Sequence, residues 1–260
     1  MDRPEKLAFS DESYFPLARG DTLAGLAFLA FSFGIVLATT DATLADLVLP
    51  LAATVNFTLG IPLFCSGLAI LINNNVRVSA IYDPFHHIVY TGVLQGLDEH
   101  APEQIAEAQK LHVASGNWIP LREAAEQTRQ RNRRKQVIGI HLTRSHDDKL
   151  AEFLGTNGPE DWSQLGALAR EFGGIYALNS GILAMTEVAR GAFGGFVNNI
   201  TNPWDVAPGE VLVKACGGKV TDFQGHPIDY ATKGRRTSVV AGYNAEFHQD
   251  IVDTLGKHSH

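Results

Sequence analysis

Sulfur is scarce in this sequence: Cys65 and Cys216 are the only cysteines, and there are two methionines. One cysteine pair excludes both a disulfide-built scaffold and a thiolate cluster for zinc, and a reducing, cytoplasmic setting is expected. Charge is sparse as well. Asp, Glu, Lys and Arg make up 19% of the chain, with a formal net charge of -7. Binding a phosphate backbone needs a concentrated basic face, so no nucleic-acid partner is expected. The basic run Arg129, Arg131, Arg133, Arg134 and Lys135 reads as a solvated connection. No repeat, low-complexity tract or Gly-rich phosphate loop with lysine is present, and no basic N-terminal segment leads to a small-residue cleavage site, so no secretory leader is expected.

What the sequence has is apolar mass. With 260 residues and 45% hydrophobic content, it can bury a large core. Residues 22–40 carry no charge and reach the length of a bilayer crossing, but Ala, Gly, Ser and Thr dilute them and no Lys or Arg cluster flanks them. They are read as buried core, and a membrane is not expected. Short β-rich runs alternate with helical ones, which argues for an α/β or α+β layered fold. Residues 76–82 and 88–94, rich in β-branched and aromatic side chains, flank the turn signal Asp83-Pro84-Phe85-His86-His87 and predict a hairpin. Residues 61–72 are apolar on both faces, as in a covered strand. Further on, a strand is expected from Val137, helices over 147–155 and 160–171, and a helix after Ser180, whose hydroxyl suits an N-cap. Another helix over 205–216 opens at Asp205 and ends at the pair Gly217-Gly218 through a left-handed cap. Two parts are expected, 1–125 and 136–260, joined by a charged helical stretch between Pro120 and Gln136. His86 and His87 are adjacent in a turn and point apart, so they read as solvated rather than as a metal pair.

Residues 202–225, NPWDVAPGEVLVKACGGKVTDFQG, resemble the second signature of the inositol monophosphatase family, in which Trp-Asp-x-Ala is followed by a Gly-Gly turn. Residues 55–92, with the Asn56-Phe57 pair and the Asp-Pro hairpin, are similar to the family's stretch after its first signature. Residues 174–191 fit the helix that in the family presents its N-terminus to the substrate phosphate. The resemblance implies the αβαβα sandwich of the inositol monophosphatase and fructose-1,6-bisphosphatase type, a homodimer, and magnesium-dependent hydrolysis of a small phosphate monoester. Magnesium takes hard oxygen ligands where carboxylates converge with phosphate.

The family draws those carboxylates from a Gly-Glu-Glu motif, an Asp-Pro-Ile/Leu-Asp-Gly-Thr motif and the Asp of Trp-Asp-x-Ala. Aligned on Asn56-Phe57, the second of these falls on residues 49–54, where Leu49 and Ala52 replace both aspartates. Gly-Glu-Glu falls on Leu37-Ala38-Thr39, again without acid. The resemblance leaves Asp205 as the charged metal ligand, the Leu51 carbonyl as a second metal contact and Thr54 as the residue that orients the water. It places Asn179, Ser180 and Gly181 at the phosphate and Asn198 where a polyol-contacting Glu often stands, while Gly194 replaces a frequent Asp. Asp205 also reads as a simple N-cap, and Ser180 as a cap before an anion contact. The expected function is a phosphatase-fold protein impaired in catalysis. Two alternatives stay open: an active monoesterase with Asp41 or Asp46 as relocated ligands, and an interaction or membrane-associated protein using its apolar N-terminal third. A shifted reading frame is another source for the composition of residues 22–54.

Overall fold

The computed structural model describes residues 47–48, 51–52, 56, 60–72, 74–95, 105–123, 126, 135–141, 163–230 and 236–256. The expectations for residues 22–40, Asp41, Asp46, most of the basic run and the helix over 147–155 lie outside the described residues. A first, antiparallel sheet contains β1 (Leu47–Val48), β2 (Leu51–Ala52), β3 (Cys65–Ile72), β4 (Asn75–Asp83), β5 (Ile88–Gln95), β6 (Ile105–His112) and β7 (Asn117–Pro120). Its order is β1-β3-β4-β5-β6-β7, with β2 also pairing β3. A second, mixed sheet is formed by β8 (Val137–His141), β9 (Gly174–Tyr176), β10 (Gly195–Thr201), β11 (Lys219–Thr221) and β12 (Thr237–Gly242). There the order is β11-β12-β10-β8-β9, and β8 runs parallel to both β9 and β10.

Four helices complete the described layers: α1 (Ser163–Glu171), α2 (Gly181–Ala189), α3 (Ala207–Ala215) and α4 (Ala245–Gly256). The helix α2 is apolar nearly all round, with Ile182, Leu183, Ala184, Met185, Thr186, Val188 and Ala189 buried. Such a helix is stable only when covered on several sides. It lies with α3 between the two sheets, while α4, with α1 beside it, packs on the far face of the second sheet. Strand alternation accounts for the two faces. In β10, Phe196 reaches toward Gly181 of α2, and the preceding Gly195 turns toward Ile251 of α4. Close approach needs small residues at the contacts. A Cβ on Gly209 of α3 would sit 2.6 Å from Met185 Cβ, and one on Gly92 of β5 would sit 2.9 Å from Val211. One apolar cluster runs through both sheets and the helices between them, and each fully buried Ile, Leu or Met in it is worth about 1.5–3 kcal/mol. The described layers thus run sheet, helices, sheet, helices, four of the five layers of an αβαβα sandwich.

The hairpin forms as the turn signal predicts: Ile81 pairs with Tyr90 and Asp83 with Ile88. Asp83 Oδ1 accepts the N–H groups of Phe85 and His86, each at 3.1 Å, and Oδ2 lies 2.7 Å from His86 Nδ1. The covered strand expected over 61–72 begins at Cys65. The helix expected over 205–216 is corrected: Asp205 ends a 3-10 turn, Pro203–Asp205, and α3 starts at Ala207 with Val206 at its cap and no side-chain capping bond. Pro208 in the first turn, lacking an N–H, sets that start. Asp205 is therefore not an N-cap. Strands β6 and β7 had no counterpart in the sequence reading, and Pro120, expected to open a helical link, ends β7. No described helix is long and apolar enough to cross a membrane.

The end of α3 follows the sequence closely. Gly217 has φ +83, its N–H donates to Lys214 O at 2.9 Å, and the Gly218 N–H donates to Val213 O at 2.8 Å. That is the paired bonding of a left-handed helix end. A Cβ on Gly218 would lie 2.5 Å from the Gly242 carbonyl oxygen and 2.9 Å from that of Val213, both backbone atoms. Gly217→Ala is expected to cost about 1 kcal/mol through its positive φ, and Gly218→Ala more, in urea unfolding of the purified chain.

A second expectation concerns His248, which is fully buried in α4. The Thr221 hydroxyl donates to Asp222 O at 2.7 Å, so His248 Nε2, 2.9 Å from the same oxygen, is the donor between them, and Nδ1 is buried without a partner among the described residues. Burial, with Lys219 adding to it, lowers the imidazole to about 4. A group depressed in the folded state stabilises fully above its unfolded value, about 6.5, and loses that contribution as pH falls toward the folded one. Stability is expected to fall between those two values, and His248→Gln should flatten that part of the urea midpoint against pH.

Candidate functional site

The site expected from the sequence is built on the start of α2. Asn179 is left-handed, with φ +52, a conformation that asparagine tolerates better than most residues. The chain then extends at Ser180 (φ -142, ψ 102), whose Oγ accepts the Leu183 N–H at 3.5 Å. The Ser180 carbonyl accepts the Ala184 N–H at 3.0 Å. Ser180 is thus the N-cap. The N–H groups of Gly181 and Ile182 precede any intrahelical acceptor and share the positive end of the helix dipole, which makes this end suited to an anion.

Asp205 lies against that start. A Cβ on Gly181 would be 3.7 Å from the Asp205 carbonyl oxygen and 3.8 Å from the Phe196 ring. The Asp205 carboxylate accepts from Asn202 Nδ2 at 3.3 Å. Burial pushes its carboxyl above the usual value, and the Asn202 bond opposes the shift. Cys65, at the head of β3, brings its Sγ to 4.0 Å from Ser180 Oγ. Burial drives the thiol up to about 12; the Ser180 bond opposes this, and the charges of Asp83 and Asp205 reinforce it. At neutral pH Cys65 is a buried thiol, not a nucleophile. In the sheet, Leu51 pairs with Ser66 and Ala52 with Cys65, so β2, which holds part of the altered first signature, runs beside the strand that touches Ser180.

The remaining candidates are spread out. Asn198 is buried, and its Oδ1 accepts the Ile200 N–H at 3.1 Å, within the irregularity of β10 between Asn198 and Thr201. Asp83 serves its own turn. Thr54, Leu49, Asp41 and Asp46 lie outside the described residues. A residue whose part the sequence reading missed is Asn56, used there only to set register. Its Nδ2 donates to Leu63 O at 2.6 Å and to Leu178 O at 2.7 Å. Its signal was a lone amide in an apolar stretch, which a folded chain must satisfy.

Among the described residues, no three of His, Cys, Asp and Glu gather as a cation-holding group. The Asp205 carboxylate accepts the Asn202 amide. Among the described residues, one carboxylate with a neutral amide does not fit a magnesium pair, which needs several hard anionic oxygens.

Two sheets enclosing a helix pair, with a capped helix start beside Asp205, define a layered α/β sandwich. The model of the inositol monophosphatase family matches residues 36–260, and the chain belongs to that family. It is similar to the Nus factor SuhB of Pasteurella multocida, 25% identical over 185 residues that cover 71% of this chain and 58% of that protein. It is also similar to the inositol-1-monophosphatase of Synechocystis, 26% identical over 206 residues, 79% of this chain and 60% of that one. The chain thus spans about three fifths of the length of these curated relatives. The crystal structure of inositol monophosphatase-II from Staphylococcus aureus has the same fold, with a TM-score of 0.62 at 20% identity over 85% of this chain and 71% of that one.

Removing the cap tests the local geometry. Ser180→Ala is expected to lower stability by about 1 kcal/mol and to speed hydrogen exchange at the Leu183 N–H ahead of amides in the second sheet.

Proposed function

We propose that this chain is an inositol-monophosphatase-type protein with little or no hydrolytic activity, which keeps a seat for the phosphate of a small phosphorylated molecule at the start of α2. The observation that carries the reading is the donor set. Apolar Leu49 and Ala52 occupy the aligned positions of two aspartates, and Asp205 stands among neutral groups. Leu and Ala offer no lone pairs, and losing several carboxylates removes most of the negative charge that draws magnesium out of water. What supports binding is independent of metal: the first helix N–H groups, which precede any intrahelical acceptor, and a hydroxyl at Ser180.

In this reading Ser180 and Gly181 meet the phosphate, and Asn179 and Asn198 lie toward the alcohol portion. Thr54 and the Leu51 carbonyl are remnants of the water and metal side. Residues 1–125 and 136–260 are the two parts, and a cytoplasmic homodimer is the setting carried over from the family. The relative named inositol-1-monophosphatase makes an inositol monophosphate the first ligand to try.

Calorimetric titration of magnesium, with and without inorganic phosphate, is expected to give no magnesium heat at millimolar affinity while phosphate alone still binds. Magnesium-dependent hydrolysis of inositol monophosphate, abolished by Asp205→Asn, would overturn the reading in favour of an active monoesterase that uses Asp41 or Asp46.

A further inference from the structure

The loop that enters α2 is held from the other half of the chain. Asn56 is 2% exposed, and its side-chain amide spends both hydrogens, one on Leu63 O at 2.6 Å and one on Leu178 O at 2.7 Å. Its own carbonyl accepts the Ile61 N–H at 2.8 Å. Asn56 is therefore tied to Ile61 and Leu63 through backbone and side chain, and the second amide hydrogen reaches across to the approach to α2. Leu178 is the residue before left-handed Asn179 and two before the cap Ser180. Its side chain packs on the core while its carbonyl is fixed by Asn56. Because the peptide unit is planar, fixing that carbonyl fixes the 178–179 plane, from which the chain turns through Asn179 into the helix.

Resting on the reading of the α2 start as a phosphate seat, we propose that Asn56 is the positioning residue of that seat. It touches no ligand. It holds the Leu178 carbonyl so that Asn179 stays left-handed, Ser180 stays at the cap and the first N–H groups of α2 remain aimed at one point. Preorganisation of this kind raises affinity because the binding-competent shape is already populated. It also joins the seat to the segment that carries the altered first signature, since Asn56 follows Thr54 by two residues. Only a donor with two hydrogens can hold both carbonyls. A leucine of similar size would take the amide donors away from both carbonyls, and an aspartate would set a carboxylate against them.

The test uses the full chain and inorganic phosphate. Asn56→Leu is expected to raise the phosphate dissociation constant by about tenfold, the effect of freeing two half-buried carbonyls, and to speed hydrogen exchange at the Leu183 and Ala184 N–H groups. Ser238→Ala, which removes a remote buried bond from the Phe223 N–H at 2.9 Å, serves as the control for general weakening and should leave phosphate affinity unchanged. A folded Asn56→Leu with unchanged affinity, or equal losses in the two variants, overturns the proposal. If the unaltered chain binds no phosphate, the seat itself is wrong. The hold on α2 is then judged by hydrogen exchange alone, with unchanged protection at Leu183 and Ala184 refuting it. If Asn56→Leu does not fold, phosphate titration of the 15N-labelled unaltered chain decides. The Asn56 side-chain amide signals must shift together with those of residues 179–183, and their staying still while the others move overturns the assignment.

Discussion

The structure depends on the burial of α2. A nine-residue helix with apolar groups on nearly every face cannot rest on a surface, and the two sheets supply the cover that its sequence demands. Met185 meets Gly209 of α3, Ile182 meets Gly67 of β3, and Phe196 of β10 closes over Gly181. A helix clamped on three sides has its N-terminus fixed in space. That gives the capping serine and the first two N–H groups of the helix a defined position.

Around that fixed point the polar groups divide by what surrounds them. Glu210 is buried in α3, yet it is satisfied by Lys214 Nζ at 2.5 Å and by the Tyr230 hydroxyl, so it ties the segment after β11 to the helix. Burial and the Glu210 carboxylate together hold the Tyr230 phenol far above its ordinary value, which keeps it a donor. The Asp205 carboxylate accepts the Asn202 amide, and desolvation makes its charge costly. In a site rich in magnesium ligands a carboxylate of this kind would answer the cation's charge. Among the described residues no acidic group gathers with it to hold a cation.

Where local chemistry decides conformation, the sequence was readable. The serine before an apolar helical run became a cap, the Gly217-Gly218 pair became a left-handed helix end, and Asp-Pro between two β-branched runs became a hairpin turn. Each outcome rests on a few adjacent residues. Strand β6 shows the opposite case. Its residues Ala106, Glu107, Ala108, Gln109 and Lys110 favour helix locally, but pairing along the full length of β5 outweighs that preference. The opening of α3 shifted for a related reason: Asp205 has the chemistry of a cap, but the turn Pro203–Asp205 takes the chain past it before α3 begins at Ala207.

The sequence by itself determined the family and the layered α/β class, because these are matters of residue identity in register. The neighbours of each candidate were decided only by the tertiary structure. Asn198 turned to its own strand at Ile200, Cys65 came to rest beside Ser180, and Asn56 reached across 122 positions to the Leu178 carbonyl. Hydrogen bonds act over about 3 Å, so the partners of a buried amide or thiol are set by which segments the fold brings together, and no local pattern encodes that meeting.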